Sequence, residues 1–149
     1  MGDRTSVTLT VLRSQADKAK TCIDSNYAHQ VDSSDTLLIQ WEFDEVNYGE
    51  LTFLKKLQKA GIAYDSDWAN GDEYGEGCEY CRFTSEGDIV LKSLYDNEDC
   101  LPMNVLTRLM DAPVALRQRI LDKIKERTVL PWDDQERHGK QYLALQLIA

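Results

Sequence analysis

Alternation of apolar and polar residues is the clearest pattern along this chain. It predicts a first strand over Ser6–Leu12, where valine and leucine alternate with threonine, and a second strand over Thr36–Phe43. Two further β-prone runs, Cys78–Phe83 and Asp88–Tyr95, are separated by a short connection that contains glycine, which predicts a hairpin. The last alternating run, Gln141–Ile148, predicts a terminal strand.

Apolar residues spaced three to four apart predict helices between these strands. The first helix is expected to begin near Ser14 and to run to about Asn26. The second is expected after the capping residue Asn47 and should end at Ala60, because Gly61 can adopt the left-handed conformation that terminates helices.

Two more helices are predicted late in the chain. Pro102 can occupy the first turn of a helix that reaches Met110, and Asp111 is expected to cap the next helix. The inner face of that last helix is predicted to carry Leu116, Ile120 and Ile124. Arginine and lysine residues on these helices alternate with acids, which indicates a solvated, salt-bridged surface.

The order of these elements predicts an α+β fold, with helices on one face of a mostly antiparallel sheet. A ferredoxin-like split unit with additional C-terminal helices fits this order best. The polar stretches Tyr27–Asp35 and Asp65–Gly77 are expected to be loops. No internal repeat or linker interrupts the sequence, so residues 1–149 are predicted to form a single globular domain.

The charge of the chain is concentrated in one window. Residues Tyr64–Asp99 hold eleven acids against two bases, so this window alone accounts for the net charge of −9. The other 113 residues hold fifteen acids and fifteen bases. A localised negative field repels nucleic acid and anionic membranes and attracts basic partners. We therefore expect neither direct nucleic-acid binding nor membrane binding.

The sequence also bears on compartment. No apolar run approaches the roughly 20 residues that a membrane span needs, and the first residues lack the apolar core of a signal peptide. Four cysteines in a chain of this length are expected to be reduced thiols. A cytoplasmic location is the resulting expectation.

Aromatic residues are interleaved with the acids of this window. Protein interfaces favour tyrosine and tryptophan as anchors, and surrounding carboxylates steer a basic partner toward them. The alternative is that these rings only cover the edge of the sheet. The residues predicted to bind a partner are Asp65, Asp67, Trp68, Asp72, Glu73, Tyr74, Glu76, Glu79 and Tyr80.

The same acids partly match the pattern of a calcium-binding loop. Asp65, Asp67 and Glu76 have the spacing of positions 1, 3 and 12. Ala69 stands at position 5, where an oxygen ligand is needed, and Asn70 replaces the glycine of the sharp turn. We therefore predict no specific metal site and no cofactor. A divalent-metal-binding protein or small enzyme that uses the Asp65–Glu79 carboxylates remains the alternative.

Catalytic motifs are absent from the sequence. The pair Cys78 and Cys81 has the spacing of a redox or zinc motif, but it lies in a predicted strand and lacks a second pair, which indicates structural cysteines. His29 and His138 have no partner pattern for a metal or a triad and are expected to be exposed. No catalytic residue is predicted.

These observations favour a non-enzymatic, acidic protein-binding module. Its expected partner is a basic protein surface, such as the groove of a nucleic-acid-binding protein, where carboxylates would stand in for phosphates. Phage and plasmid inhibitors of host defence (anti-CRISPR and antirestriction proteins) and acidic immunity proteins work by this logic, which is an analogy of function and not of sequence. A self-associating structural module is a further alternative, in which the basic late helix of one copy meets the acidic region of a homo-oligomeric partner.

Overall fold

The computed structural model describes residues 3–24, 28–31, 35–96 and 101–149. Its strands are β1 (Arg4–Leu12), β2 (Ala28–Val31), β3 (Leu38–Asn47), β4 (Tyr64–Trp68), β5 (Gly77–Phe83) and β6 (Ile89–Tyr95). Its helices are α1 (Ala16–Lys20), which follows a single 3-10 turn (Arg13–Gln15), α2 (Leu54–Lys59), α3 (Met103–Leu109), α4 (Pro113–Arg127) and α5 (Gln135–Gln146).

The six strands form one sheet in the order β2-β3-β1-β4-β5-β6, and every neighbouring pair is antiparallel. The first six elements, β1-α1-β2-β3-α2-β4, have the chain order and strand order of the ferredoxin-like split unit. The hairpin β5–β6 then extends the sheet beyond β4, and three helices follow. The structure therefore confirms the predicted α+β class and the ferredoxin-like arrangement with C-terminal helices.

The core lies on one face of the sheet. Val7, Leu9 and Val11 of β1 are fully buried and pair with Phe43, Trp41 and Ile39 of β3. Burying each of these side chains contributes about 1.5–3 kcal/mol. The same cluster includes the buried residues of α1 and α2, so both helices cover this core face. Gly61 ends α2 with a φ of 67°, as its position predicted.

Two predicted loops contain strands instead. Ala28–Val31 forms the edge strand β2, and Tyr64–Trp68 forms β4, which is hydrogen-bonded on both sides. The residues of β4 have low intrinsic strand propensity because two are aspartates, but pairing with β1 and β5 outweighs this preference. Strand β3 runs four residues beyond Phe43. Helix α1 ends at Lys20, and residues 21–24 are not helical, so the predicted extension of this helix is wrong there; its predicted end near Asn26 lies outside the described residues.

The predicted terminal strand is wrong, since Gln135–Gln146 is the helix α5. This segment holds three glutamines and no β-branched residue, so helical propensity prevails over the short alternation. The side chain of Gln135 is buried and bonds to both the N–H (2.7 Å) and the C=O (3.2 Å) of Phe83. The ring of Tyr142 packs on Phe83 with centroids 5.0 Å apart.

The late helices α3 and α4 form as predicted, although Ala112 and not Asp111 occupies the N-cap position of α4. Neither helix has a buried residue in the part of the chain that the structure describes. The predicted inner face of α4 is therefore wrong: Ile120 and Ile124 are exposed, and Leu116 is only half-buried.

Candidate functional site

The acidic window occupies one half of the sheet. Its residues supply β4, β5 and β6, which lie side by side, together with the loop of residues 69–76 that joins the first two strands. Consecutive antiparallel pairing of these three strands gathers carboxylates that are far apart in sequence, such as Asp65 and Asp96. The negative region predicted from the sequence is therefore one continuous part of the fold.

Strand pleating divides these residues between two faces. Asp67 of β4 lies between Thr8 of β1 and Cys78 of β5, and Asp65 lies between Thr10 and Tyr80. Alternation places all of these side chains on the face opposite the core, which we call the outer face. Glu42 of β3, which pairs with Thr8, is exposed on the same face.

A cavity of about 270 Å³ opens on this outer face. Its lining includes carboxylates from three separate places: Asp67 from β4, Glu76 from the loop before β5, and Asp96 from the residue after β6. Tyr80 of β5 and Arg127 from the end of α4 complete the polar lining. None of the ion pairs among the described residues involves Asp67, Glu76 or Asp96.

The electrostatics of the cavity disfavour additional negative charge. Partial desolvation is the main cause that raises the pKa of Asp67, and the nearby Asp96 carboxylate raises this pKa further. A hydrogen bond from the Cys78 thiol lowers the pKa of Asp67 and so opposes both effects. Burial also raises the pKa of Cys78 and of Tyr80, so both stay protonated at neutral pH and act as hydrogen-bond donors. A cation that entered this cavity would relieve the repulsion between the carboxylates.

Asp65 has a structural partner. Its Oδ1 lies 2.7 Å from Nη1 of Arg82, whose side chain is 4% exposed. The same guanidinium donates hydrogen bonds to the carbonyl oxygens of Leu130 (2.9 Å) and Tyr64 (3.0 Å) and stacks on the ring of Trp132 at 3.9 Å. The charge of Asp65 is thus neutralised within the fold, although the sequence grouped it with the partner-binding residues.

Two other predicted residues belong to the core side of the sheet. Glu79 accepts a hydrogen bond of 2.5 Å from the hydroxyl of Tyr64, which in turn accepts one from Gln58 (2.8 Å). Trp68 donates through Nε1 to the carbonyl of Gly75 (3.0 Å) and packs edge-on against Tyr95. Glu79 is consequently separated by the sheet from Asp67 and Tyr80, and Trp68 holds the acidic loop in place.

The loop of residues 69–76 carries the remaining predicted residues. Asp72 and Glu73 are exposed, and the backbone N–H of Glu73 donates to Oδ2 of Asp3 (3.0 Å). The ring of Tyr74 is half-buried against Tyr48. Of the nine predicted residues, the structure brings Asp67, Trp68, Glu76 and Tyr80 together at the cavity.

Sequence reasoning missed two contributors to the cavity. Asp96 was seen only as part of the acidic window, and Arg127 only as one of several bases on a late helix. Both reach the cavity through the order of the strands and the course of α4, and no local sequence signal reports that order. Their position follows from long-range pairing alone.

The cysteines among the described residues are buried. Cys22, Cys78 and Cys81 are buried free cysteines, while Cys100 lies outside the described residues. Cys78 and Cys81 lie within β5, as predicted, and burial raises the pKa of Cys81 to about 12. Such thiols are weak nucleophiles at neutral pH.

His138 is half-buried in α5, contrary to the expected exposure, and the side chain of His29 lies outside the described residues.

The described residues provide no group of three or more His, Cys, Asp or Glu side chains that could hold a metal ion. Asp65 and Asp67, which mimicked a calcium loop in sequence, lie in the extended strand β4, so their carboxylates do not wrap around one point. Within the same residues, none of the helices combines the length and apolarity required to cross a bilayer.

Comparison with known proteins adds no relative, because no family model, curated protein or solved structure matches this chain.

Proposed function

We propose that the protein is a non-enzymatic binding module whose acidic outer face receives a basic surface of a partner protein. The observation that carries this proposal is the convergence of Asp67, Glu76 and Asp96 on one cavity with no ion-pair partner among the described residues. Three carboxylates that share one cavity with the guanidinium of Arg127 keep an excess of negative charge, so they gain free energy when a lysine or arginine side chain of a partner enters between them.

The class of partner follows from charge and from the shape of the site. A negative face steers a basic partner and raises the rate of association. Tyr80 adds a ring of the kind that protein interfaces favour. Nucleic-acid-binding grooves are the commonest strongly basic surfaces in cells, so the carboxylates would act there as a decoy for phosphates, as inhibitors of host defence and immunity proteins do. The free thiols support a reducing, cytoplasmic setting for this activity.

The magnitude of the effect depends on where each carboxylate lies. Exposed acids such as Asp72 contribute at most about 1 kcal/mol each to a complex. Carboxylates that become desolvated inside the cavity are worth more, because removing one partner of a buried charge pair costs about 2–5 kcal/mol. Affinity should therefore depend on Asp67, Glu76 and Asp96 more than on the loop.

The test begins with capture of partners from the native host at low and at high salt. The captured partner is then titrated by calorimetry with the triple variant Asp67→Asn, Glu76→Gln, Asp96→Asn. A matched control removes three exposed acids elsewhere, with Asp17→Asn, Asp44→Asn and Glu50→Gln. We expect the first variant to lose binding and the control to keep it. Equal binding by both variants would refute the proposal, and so would a partner that still binds its nucleic acid while complexed.

A further inference from the structure

The helices α3 and α4 form an arm, residues Met103–Arg127, that contributes no buried residue to the described part of the fold. Its apolar side chains point into solvent: Val114 is 83% exposed and Ile124 is 57% exposed. The others with large exposure are Met103, Met110, Ile120 and Leu121. Contiguous apolar exposure of this kind marks an interaction surface in a folded protein.

The arm also has a charge opposite to that of the rest of the chain. It holds six bases and three acids, a net charge of +3, whereas the other residues hold eleven bases and twenty-three acids, a net charge of −12. A surface that is both apolar and basic is complementary to one that is both apolar and acidic.

The strand β6 provides such a surface. It is the last strand of the sheet, and none of the strands in the described residues pairs with its outer edge. Leu91 and Tyr95, 51% and 42% exposed, project from it on the core side of the sheet. Two exposed acids, Glu86 and Asp88, precede the strand. An unprotected apolar edge strand readily accepts another chain.

The base of the arm is anchored beside this strand. Lys92 of β6 donates through Nζ to the carbonyl of Thr128 (2.7 Å), and Arg127 donates to the carbonyl of Tyr95 (3.1 Å). Because each copy carries the arm next to β6, one two-fold axis can place both arms on the β6 strands of opposite copies. Reciprocal contacts of this type are the commonest way in which identical chains associate.

We propose that two copies of this chain associate reciprocally, with the arm of each copy docked on β6 of the other. Val114, Leu121 and Ile124 then cover Leu91 and Tyr95, and the lysines of α4 face Glu86 and Asp88. The inference goes beyond the proposed function and is independent of it, since it does not use the cavity carboxylates Asp67, Glu76 and Asp96.

The first experiment measures the mass of the full chain by sedimentation and light scattering. We expect a dimer at low salt that weakens as salt is added, because the contact is partly electrostatic. Ile124→Asp should weaken dimerisation about tenfold or more, which corresponds to a loss of about 1.4 kcal/mol. Lys55→Glu on the exposed side of α2 is the control for a charge change, and circular dichroism checks that each variant folds.

The second experiment is a charge exchange. Lys125→Glu and Asp88→Lys should each weaken the homodimer, and an equimolar mixture of the two variants should form a heterodimer. A chain that stays monomeric at low salt, a dimer that Ile124→Asp leaves intact, or a mixture that fails to pair would each overturn the inference. The triple cavity variant should dimerise normally, so failure of the proposed function and failure of this inference give different results.

Discussion

Oδ1 of Asp65 and Nη1 of Arg82 form an ion pair 2.7 Å apart on neighbouring strands, beneath the indole of Trp132. The pair ties the ferredoxin-like unit to the added hairpin, because Asp65 belongs to β4 and Arg82 to β5. Arg82 also bonds to the carbonyl of Leu130, so the segment that leads into α5 depends on the same guanidinium.

Replacing Arg82 by alanine should therefore be severely destabilising. The change leaves the Asp65 carboxylate without its counter-charge and removes three hydrogen bonds to backbone carbonyls. Breaking a buried pair from one side costs about 3–5 kcal/mol. Urea denaturation would measure the loss. Arg4→Ala, which breaks the exposed pair with Glu45, is the matched control and should change the free energy of unfolding by less than about 1 kcal/mol. Similar effects of both variants would contradict this role.

Docking of α5 should depend on Gln135. Its side chain satisfies the N–H and the C=O of Phe83 in a buried position, so Gln135→Ala leaves two backbone groups unpaired. Each unsatisfied buried group costs about 1–3 kcal/mol. Thermal unfolding of this variant should occur well below that of Gln141→Ala, an exposed position on the same helix. Equal stability of the two variants would show that α5 docks by apolar contact alone.

The sequence predicted the fold class more reliably than the individual strands. Alternation identified β1 and β3 because one of their faces is buried and the other is polar, and the same pattern identified the β5–β6 hairpin. It failed for β4, where Asp65 and Asp67 occupy the outer face of a strand hydrogen-bonded on both sides. It failed again for α5, where three leucines spaced two apart imitate a strand.

The candidate site was predictable only in part. The acidic window and Tyr80 were visible as composition, but the division of Asp67 and Glu79 between opposite faces follows from a strand that the sequence did not reveal. Asp96 and Arg127 reach the cavity through strand order and the path of α4. Such placement depends on contacts between distant residues, which local patterns do not encode.

The pKa of Asp67 should be higher than that of an ordinary aspartate, and carboxyl NMR titration measures it directly. Desolvation is the main cause and Asp96 contributes, so Asp96→Asn should lower the pKa of Asp67. A pKa that is raised in the folded state means that the protonated group favours folding. This contribution to stability is present below the pKa of aspartate in the unfolded chain. It is lost as the pH rises through the pKa of Asp67 in the folded protein. Asp67→Asn should consequently raise stability at neutral pH, and an ordinary pKa for Asp67 would contradict the desolvated cavity.

The buried thiols should resist modification until alkaline pH. Burial raises the pKa of Cys81 to about 12 from an ordinary value of 9.0. The buried neutral thiol contributes its full stabilisation of the folded state below the ordinary thiol pKa. This contribution declines as the pH rises toward the folded-state pKa of about 12. In a Cys100→Ser background, native protein should react with a thiol reagent far more slowly than urea-unfolded protein at the same mildly alkaline pH. Fast labelling of the native state would show that β5 opens readily.

Loop and cavity acids should affect different rates of partner binding. Asp72 and Glu73 are exposed, so Asp72→Lys with Glu73→Lys should slow association and reduce its salt dependence, since outlying charges act mainly by steering. Asp67→Asn with Asp96→Asn should instead speed dissociation, because these carboxylates lose contacts that form only in the complex. Surface plasmon resonance with the captured partner separates the two rates. If the loop pair governed dissociation and the cavity pair only association, the partner would dock on the loop, and the cavity would not be its binding site.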